Sequence, residues 1–231
     1  MSVVPRYQLR DPSIGLTDEL IMQHIDVSSR VIDLGCGDGR LMERLRSEMN
    51  CEVLGVDLEQ SNVVSVIRRG LPIVAVDLDE GLDDIPSGSF DFAVLSQTLQ
   101  QVKQPRQLLE EMLRVAQRGL VVVPNFGHWR VRFEVLWRGR TPITGSLPYE
   151  WHESPNLHFM SMPDFRELMH SIGLTIVKES PIIHGRAMDQ AWAANLRADS
   201  AFYLLEKHIP SLLPGETASD RRNSPIPAGD S

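Results

Sequence analysis

The stretch Val31-Ile32-Asp33-Leu34-Gly35-Cys36-Gly37-Asp38-Gly39-Arg40-Leu41 decides the fold. Val31, Ile32 and Leu34 form a short apolar run bounded by a turn signal, the pattern of a buried strand. The chain then breaks into Gly35-Cys36-Gly37-Asp38-Gly39, and Leu41, Met42 and Leu45 follow at helical spacing. Strand, glycine turn, helix is the opening unit of a doubly wound α/β sheet. Glycines serve such a turn because they reach positive φ without a Cβ clash and let a ligand approach the backbone. The first N–H groups of the following helix offer a site for a carboxylate or phosphate. A dinucleotide fingerprint reads G-x-G-x-x-G. Here the pattern is G-x-G-x-G, and Arg40 stands where the third glycine of that fingerprint would fall. This disfavours an NAD-dependent enzyme.

Asp33 lies two positions before the first glycine, so the run is D-L-G-C-G-D-G. It resembles motif I of class I S-adenosylmethionine (SAM) methyltransferases. Further strand–helix units agree. Cys51 to Asp57 reads as a second strand ending in an acid, eighteen positions after Gly39. In doubly wound nucleotide sites an acid at about this distance hydrogen-bonds ribose hydroxyls; its other reading is a cap on the next helix. Asn62 to Gly70 reads as a helix, Pro72 to Asp77 as a third strand, and Phe90 to Leu95 as a fourth. Pro105 to Val115 reads as a helix and Gly119 to Val123 as a fifth strand. Upstream, Thr17 is a plausible N-cap for a helix reaching Ile25. Leu174 to Glu179 and Phe202 to Glu206 are candidates for the remaining strands. The resemblance implies a doubly wound, Rossmann-like α/β fold, with a seven-stranded, mostly parallel sheet whose last strand is antiparallel. It also implies that Asp33, Gly35, Cys36, Gly37, Gly39, Asp57, Leu58, Asp77, Leu78 and Ser96 bind the cofactor, SAM or S-adenosylhomocysteine.

Composition narrows the setting. Hydrophobic residues make up 42% of the 231 residues and charged residues 23%, enough for a packed core. The net charge of −8 argues against a general binder of nucleic acid or anionic membrane. Cys36 and Cys51 form no C-x-x-C, and His128, His152 and His158 lack ligand spacing, so no metal site is expected. The N-terminus shows no signal-peptide pattern and no segment is apolar enough to span a membrane, so a cytoplasmic location is the default. Residues 1–209 read as one domain with an insert at 125–160. Residues 210–231, rich in Pro, Ser and Gly, read as a disordered tail.

The catalytic signal is weak. Ser96-Gln-Thr-Leu-Gln-Gln101 follows the fourth strand and offers no obvious general base. Methyl transfer from a sulfonium can proceed on proximity alone, so a missing base does not exclude an enzyme. The insert carries three of the four tryptophans, Trp129, Trp137 and Trp151, interleaved with Arg130, Arg132, Arg138 and Arg140. It reads either as a flap covering the sheet edge or as an interface, because Trp, Tyr and Arg are the residues that anchor interfaces. Ser96-Gln-Thr-Leu-Gln, Pro124-Asn-Phe-Gly-His-Trp-Arg-Val-Arg, Leu147-Pro-Tyr-Glu-Trp and Ser154-Pro-Asn-Leu-His together resemble the MetW family of methionine biosynthesis. That resemblance implies an accessory protein with a methyltransferase fold, acting alongside homoserine O-acyltransferase (MetX). The alternative is a SAM-dependent methyltransferase of a small molecule, with acceptor contacts from 96–101 and 124–160.

Overall fold

The computed structural model describes residues 14–144, 147 and 149–207. The tail expected at 210–231 lies outside the described residues. The order of elements is α1 (Ile14–Met22), β1 (Arg30–Leu34), α2 (Arg40–Met49), β2 (Glu52–Val56), α3 (Gln60–Arg68) and β3 (Ile73–Val74). Then follow β4 (Phe90–Ser96), α4 (Pro105–Val115), β5 (Ala116–Pro124), α5 (Trp129–Phe133), α6 (Met162–Ser171), β6 (Leu174–Ile183), β7 (Arg186–Ala187), α7 (Ala194–Arg197) and β8 (Ser200–Lys207).

The strands form one sheet in the order β3-β2-β1-β4-β5-β8-β6-β7. The pairs β3–β2, β2–β1, β1–β4 and β4–β5 are parallel. β8 runs antiparallel to both of its neighbours, β5 and β6. The seven-stranded expectation therefore holds for the main strands, and β7 adds an eighth. It is a two-residue strand paired antiparallel to β6 at the sheet edge.

Side chains alternate across this sheet with period two, and the alternation divides the core. Val31, Phe92, Val94, Leu120, Val122 and Phe202 face one side, packed with α1 and α2 through Leu20, Ile21, Leu41, Met42 and Leu45. Ile32, Leu34, Ala93, Leu95, Val121, Val123, Tyr203 and Leu205 face the other, packed with α4 and α6 through Leu109, Met112, Phe165 and Met169. A parallel sheet buried on both faces needs apolar residues at every position of its central strands, which is why those strands read as unbroken apolar runs. α4 opens with Pro105, whose fixed φ suits the first helical position. α6 opens with a capping box. The Asp164 carboxylate accepts from the Ser161 N–H at 2.8 Å and from its hydroxyl at 2.6 Å.

Three local expectations change. α1 begins at Ile14, so Thr17 sits inside the helix and is buried rather than capping it. α3 starts at Gln60 and ends before Gly70, which takes φ +67° just past the helix. The third strand is two residues long, not six. Beyond Val74 the chain leaves the sheet, and Asp77 caps a short turn by accepting from the Asp79 N–H at 2.9 Å. Asp79 in that turn accepts from the Lys103 and Gln104 N–H groups at 2.7 and 3.0 Å, which ties this edge to the start of α4. Among the described residues no helix is long and apolar enough to cross a membrane.

Candidate functional site

β1 carries connections to opposite faces of the sheet on its two sides, through β2 with α2 and α3 and through β4 with α4. The crevice beyond the carboxyl ends of β1 and β4 is thus the topological switch point where such sheets bind ligands. Two loops meet there. The loop after β1 turns through Gly35, Gly37 and Gly39, all at positive φ (+79°, +56° and +79°). Its start folds over the end of β2, with the Gly35 and Cys36 N–H groups donating to the Val56 carbonyl at 2.7 and 3.1 Å. The loop after β4 packs against it, so that a Cβ on Gly35 would lie 2.5 Å from Thr98 Oγ1. A Cβ on Gly37 would meet nothing within 4 Å, which leaves open space over the middle of the loop.

Asp57, at the end of β2, faces this loop. Its Oδ2 accepts from the Gly37 N–H at 2.9 Å, its Oδ1 accepts from the Glu59 N–H at 2.9 Å, and Asn62 Nδ2 donates to both oxygens at 3.2 Å. The carboxylate ties the glycine turn to the start of α3. Leu58 beside it is 62% exposed, an apolar surface at the rim of the crevice.

Asp33 lies beneath the loop and is 4% exposed. Burial pushes its pKa up to about 7, and the Asp18 and Asp57 carboxylates push the same way. Asp18 is also buried and pairs with Arg40, whose Nη2 donates to Asp18 Oδ1 at 2.9 Å. Burial still raises the Asp18 pKa, because desolvation outweighs the attraction of Arg40. Three carboxylates therefore surround the turn, and Arg40, the cation acting on Asp33, is already paired. Cys36 is buried with its sulfur packed toward Gly55, and burial drives its thiol pKa up, so it is a packing residue and not a thiolate.

The other predicted residues sit further out. Asp77 is engaged by its own turn, and Leu78 packs against the core on the α4 face. Ser96 ends β4, and its carbonyl accepts from the Thr98 hydroxyl at 3.1 Å. The structure thus brings Asp33, Gly35 to Gly39 and Asp57 together, with Ser96 adjoining through Thr98. Asp77 and Leu78 lie beyond the short β3.

Sequence reasoning missed Asp18 and Arg40, and reached Gln97 only as part of the 96–101 segment, without its backbone conformation. Asp18 reads as an ordinary first-turn acid, and only the packing of α1 on α2 reveals its pair with Arg40. Gln97 has φ +56°, a left-handed conformation that a non-glycine residue adopts at a cost. The side chains of Gln100 and Gln101 both donate to its carbonyl at 2.8 Å. Gln100 is 3% exposed, its Oε1 has no hydrogen-bond partner, and its carbonyl accepts from the N–H groups of Leu157 and His158 at 2.8 and 3.1 Å.

That last contact brings the insert back over the loop after β4. The insert leaves β5 at Asn125, a buried residue whose Nδ2 donates to the carbonyls of Asn195 and Ala198 at 2.8 and 2.9 Å. It closes where the Phe126 N–H donates to the Met160 carbonyl at 3.0 Å. Between these points a cavity of about 120 Å³ is lined by Phe126, Leu147, Tyr149, Trp151, Asn156 and Phe159, among others. His128 is buried and caps α5 by accepting from the Arg130 N–H at 3.2 Å. Burial holds its imidazole below the ordinary range, so its 3.6 Å approach to Asp199 is that of a neutral ring near neutral pH.

Comparison with known proteins agrees with this architecture. A possible histamine N-methyltransferase from Thermotoga maritima, described as SAM-dependent, superposes with a TM-score of 0.63 at 17% identity, covering 86% of this chain and 91% of that one. A SAM-dependent methyltransferase from Archaeoglobus fulgidus superposes with a TM-score of 0.61 at 13% identity, covering 84% and 94%. At these identities the likeness is one of fold. The bifunctional methionine biosynthesis protein MetXA/MetW of Rhodopirellula baltica is 31% identical over 202 residues, covering 83% of this chain. The chain spans 32% of that relative's length. The family model described as methionine biosynthesis protein MetW matches residues 17–205, and the chain belongs to that family.

Proposed function

We propose that this protein binds SAM at the switch-point crevice and acts as an accessory of methionine biosynthesis, alongside homoserine O-acyltransferase (MetX). The observation that carries the ligand is the acidic crevice, with Asp18, Asp33 and Asp57 around a glycine turn that is open above Gly37. A dinucleotide would bring two phosphates toward these carboxylates and be repelled. SAM carries a sulfonium and an ammonium against one carboxylate, a net positive charge, and Asp33 and Asp57, which unlike Asp18 are not paired with a cation, attract it. Asp57 has the position to hold ribose hydroxyls and Leu58 the position to cover an adenine face, while Gly35 to Gly39 supply close backbone approach. Asp77, Leu78 and Ser96 are assigned to the outer part of the same crevice. The partner half of the reading rests on the relative in which a MetXA portion and a MetW portion share one polypeptide.

When bound, SAM supplies an electrophilic methyl group. The chain's own residues position and enclose the ligand, and none of them is placed as a base. Asp33 and Asp57 balance the ligand's charge, and Thr98 closes the crevice wall against Gly35. SAM is also the compound made from the pathway's product, so an accessory protein that binds it suits a feedback role. Isothermal titration with SAM and with S-adenosylhomocysteine tests the premise. SAM should bind the more tightly, because only its sulfur is charged. Acyltransferase activity measured with and without this protein, in the presence and absence of SAM, tests the role. Absence of binding to either ligand would overturn the first half, and unchanged acyltransferase activity the second.

A second reading, methyl transfer to a small molecule, is favoured by one feature. The buried Gln100 Oε1 has no donor, at the loop after β4 where an acceptor would sit. Turnover of labelled SAM against an acceptor panel separates it from the accessory role.

A further inference from the structure

The segment Trp129–Arg138 departs from the way this fold uses its other helices. α5 continues into a π-helical turn over Glu134–Arg138. Along these ten residues Val131 is the side chain that is buried. The large apolar residues face outward instead. Trp129 is 48% exposed, Phe133 46%, Leu136 83% and Trp137 77%. Val135 beside them is 54% exposed as well, and Trp129, Phe133, Leu136 and Trp137 are spaced at three and four residues, the period of one helical face. In α2 and α4 that period marks the side turned to the core; here it marks the side turned to water.

Ring stacking, an ion pair and a backbone contact tie the ridge together. Phe133 and Trp137 stack with centroids 5.9 Å apart and planes 7° from parallel. Arg130 lies over the Trp129 ring at 5.4 Å, and Arg138 pairs with Glu134 at 3.0 Å. The base is pinned by Arg132 Nε, which donates to the Gly127 carbonyl at 2.7 Å. Large aromatic side chains held in position and flanked by arginines have already lost the freedom that binding would cost them.

We infer that the Trp129–Arg138 ridge docks into an apolar, acid-rimmed groove on homoserine O-acyltransferase, with Phe133, Leu136 and Trp137 as the inserted side chains. This rests on the partnership proposed above. Apolar anchors at three- and four-residue spacing are the signature of a helix laid in a groove. The MetXA/MetW relative keeps both portions on one chain, which maintains a high effective concentration of one for the other. Local charge points to an acidic partner surface, because residues 129–140 carry Arg130, Arg132, Arg138 and Arg140 against the single acid Glu134, in a chain of net charge −8. An isologous pairing of the ridge with a second copy would instead bring arginines of one copy toward those of the other.

The test uses the full chain, purified homoserine O-acyltransferase and three variants: Leu136→Asp, Trp137→Ala and, as a control on another exposed apolar residue, Val27→Asp. Val27 is 72% exposed in the turn before β1. Affinity is read by titration calorimetry, oligomeric state by light scattering and folding by thermal melting. The parent and Val27→Asp should bind alike, while each ridge variant should lose at least about thirty-fold in affinity with an unchanged melting curve. A parent that does not bind the acyltransferase overturns the partnership and the docking ridge together. Binding by the parent with equal binding by both ridge variants overturns the ridge alone. A parent dimer that the ridge variants dissolve, with their acyltransferase affinity intact, assigns the ridge to a second copy and also overturns the inference.

Discussion

Replacing Asp57 by alanine should produce two separable losses. In the folded chain its carboxylate accepts from the Gly37 N–H, the Glu59 N–H and the Asn62 amide. The residue is half-buried, so water can reach part of what alanine would vacate and each lost bond counts near the low end of its range. We expect about 1–2 kcal/mol of stability in total, which for a domain of this size lowers the melting temperature by roughly 2–8 °C. On the proposed ligand, the lost bonds to ribose hydroxyls are worth about 1.5–3 kcal/mol, a ten- to hundred-fold weaker dissociation constant for SAM. Asp57→Asn discriminates between the two. It keeps an oxygen for the Gly37 N–H and should recover most of the melting temperature, but without the negative charge it should recover little of the affinity. Thermal melting and titration calorimetry on parent and both variants supply the numbers. If Asp57→Ala binds SAM as tightly as the parent, the ribose assignment is wrong. If its melting temperature is unchanged, the tether between the glycine turn and α3 contributes nothing.

Gly35→Ala should destabilise the protein by about 2–4 kcal/mol, because φ is +79° and the new Cβ would meet Thr98 at 2.5 Å; denaturant melts check this, and a neutral substitution would refute the packing of the two loops. Asp33, with a folded pKa raised from 3.8 to about 7, holds more protons when folded than when unfolded between those values. Its contribution to stability is therefore greatest below about pH 4 and is lost as pH rises to about 7, by at most about 4 kcal/mol. Asp33→Asn should flatten that part of the pH–stability curve and stabilise the protein at pH 8. Because a bound cation favours the ionised Asp33, SAM affinity should rise between pH 6 and 8 with proton release, read as a dependence of binding heat on buffer ionisation enthalpy. Trp137→Ala should leave the melting temperature within about 1 °C of the parent, since an exposed side chain leaves no cavity.

The parts of the fold that were legible in sequence are those where one local rule decided. β1, the glycine turn and α2 were legible because apolar run, positive-φ turn and amphipathic helix follow one another within about twenty residues. α4 was legible to the residue because Pro105 marks its start and Leu108, Leu109 and Met112 mark its buried face. β3 reads longer in sequence than it is because Ile73, Val74 and Val76 look like a strand, whereas the chain leaves the sheet after Val74 for the turn that Asp77 caps. α1 was misplaced because Thr17 looks like a cap although the helix starts three residues earlier. At the crevice, Asp57 could be reached by counting from the glycines, but Asp18 could not. Its role depends on α1 crossing α2, a contact between residues 18 and 40 that no spacing rule encodes. The outward direction of the Trp129–Trp137 stripe was equally hidden, since periodicity shows that a helix has an apolar face and not which way that face points.

Charge explains how a loop of this type can suit a cation. The N-terminus of a helix carries partial positive charge and ordinarily favours a phosphate. In this chain the helix behind the loop begins with Arg40, which should strengthen that preference. The structure removes it: Asp18 reaches across from α1 and pairs with Arg40, and Arg69 is held by Asp38 and Glu43. The carboxylates of Asp33 and Asp57 are then left as the uncompensated charges nearest the turn. Leaving Asp33 buried without a cation is costly, as its raised pKa records. A sulfonium or ammonium placed above Gly37 would relieve that cost, so part of the ligand's affinity would come from strain already present in the empty protein. Arg40→Ala makes this measurable. It should raise SAM affinity modestly by removing a competing positive charge, while lowering stability by leaving Asp18 buried and unpaired. A fall in both, with the fold intact, would show that Arg40 belongs to the binding surface, pairing there with the carboxylate of SAM.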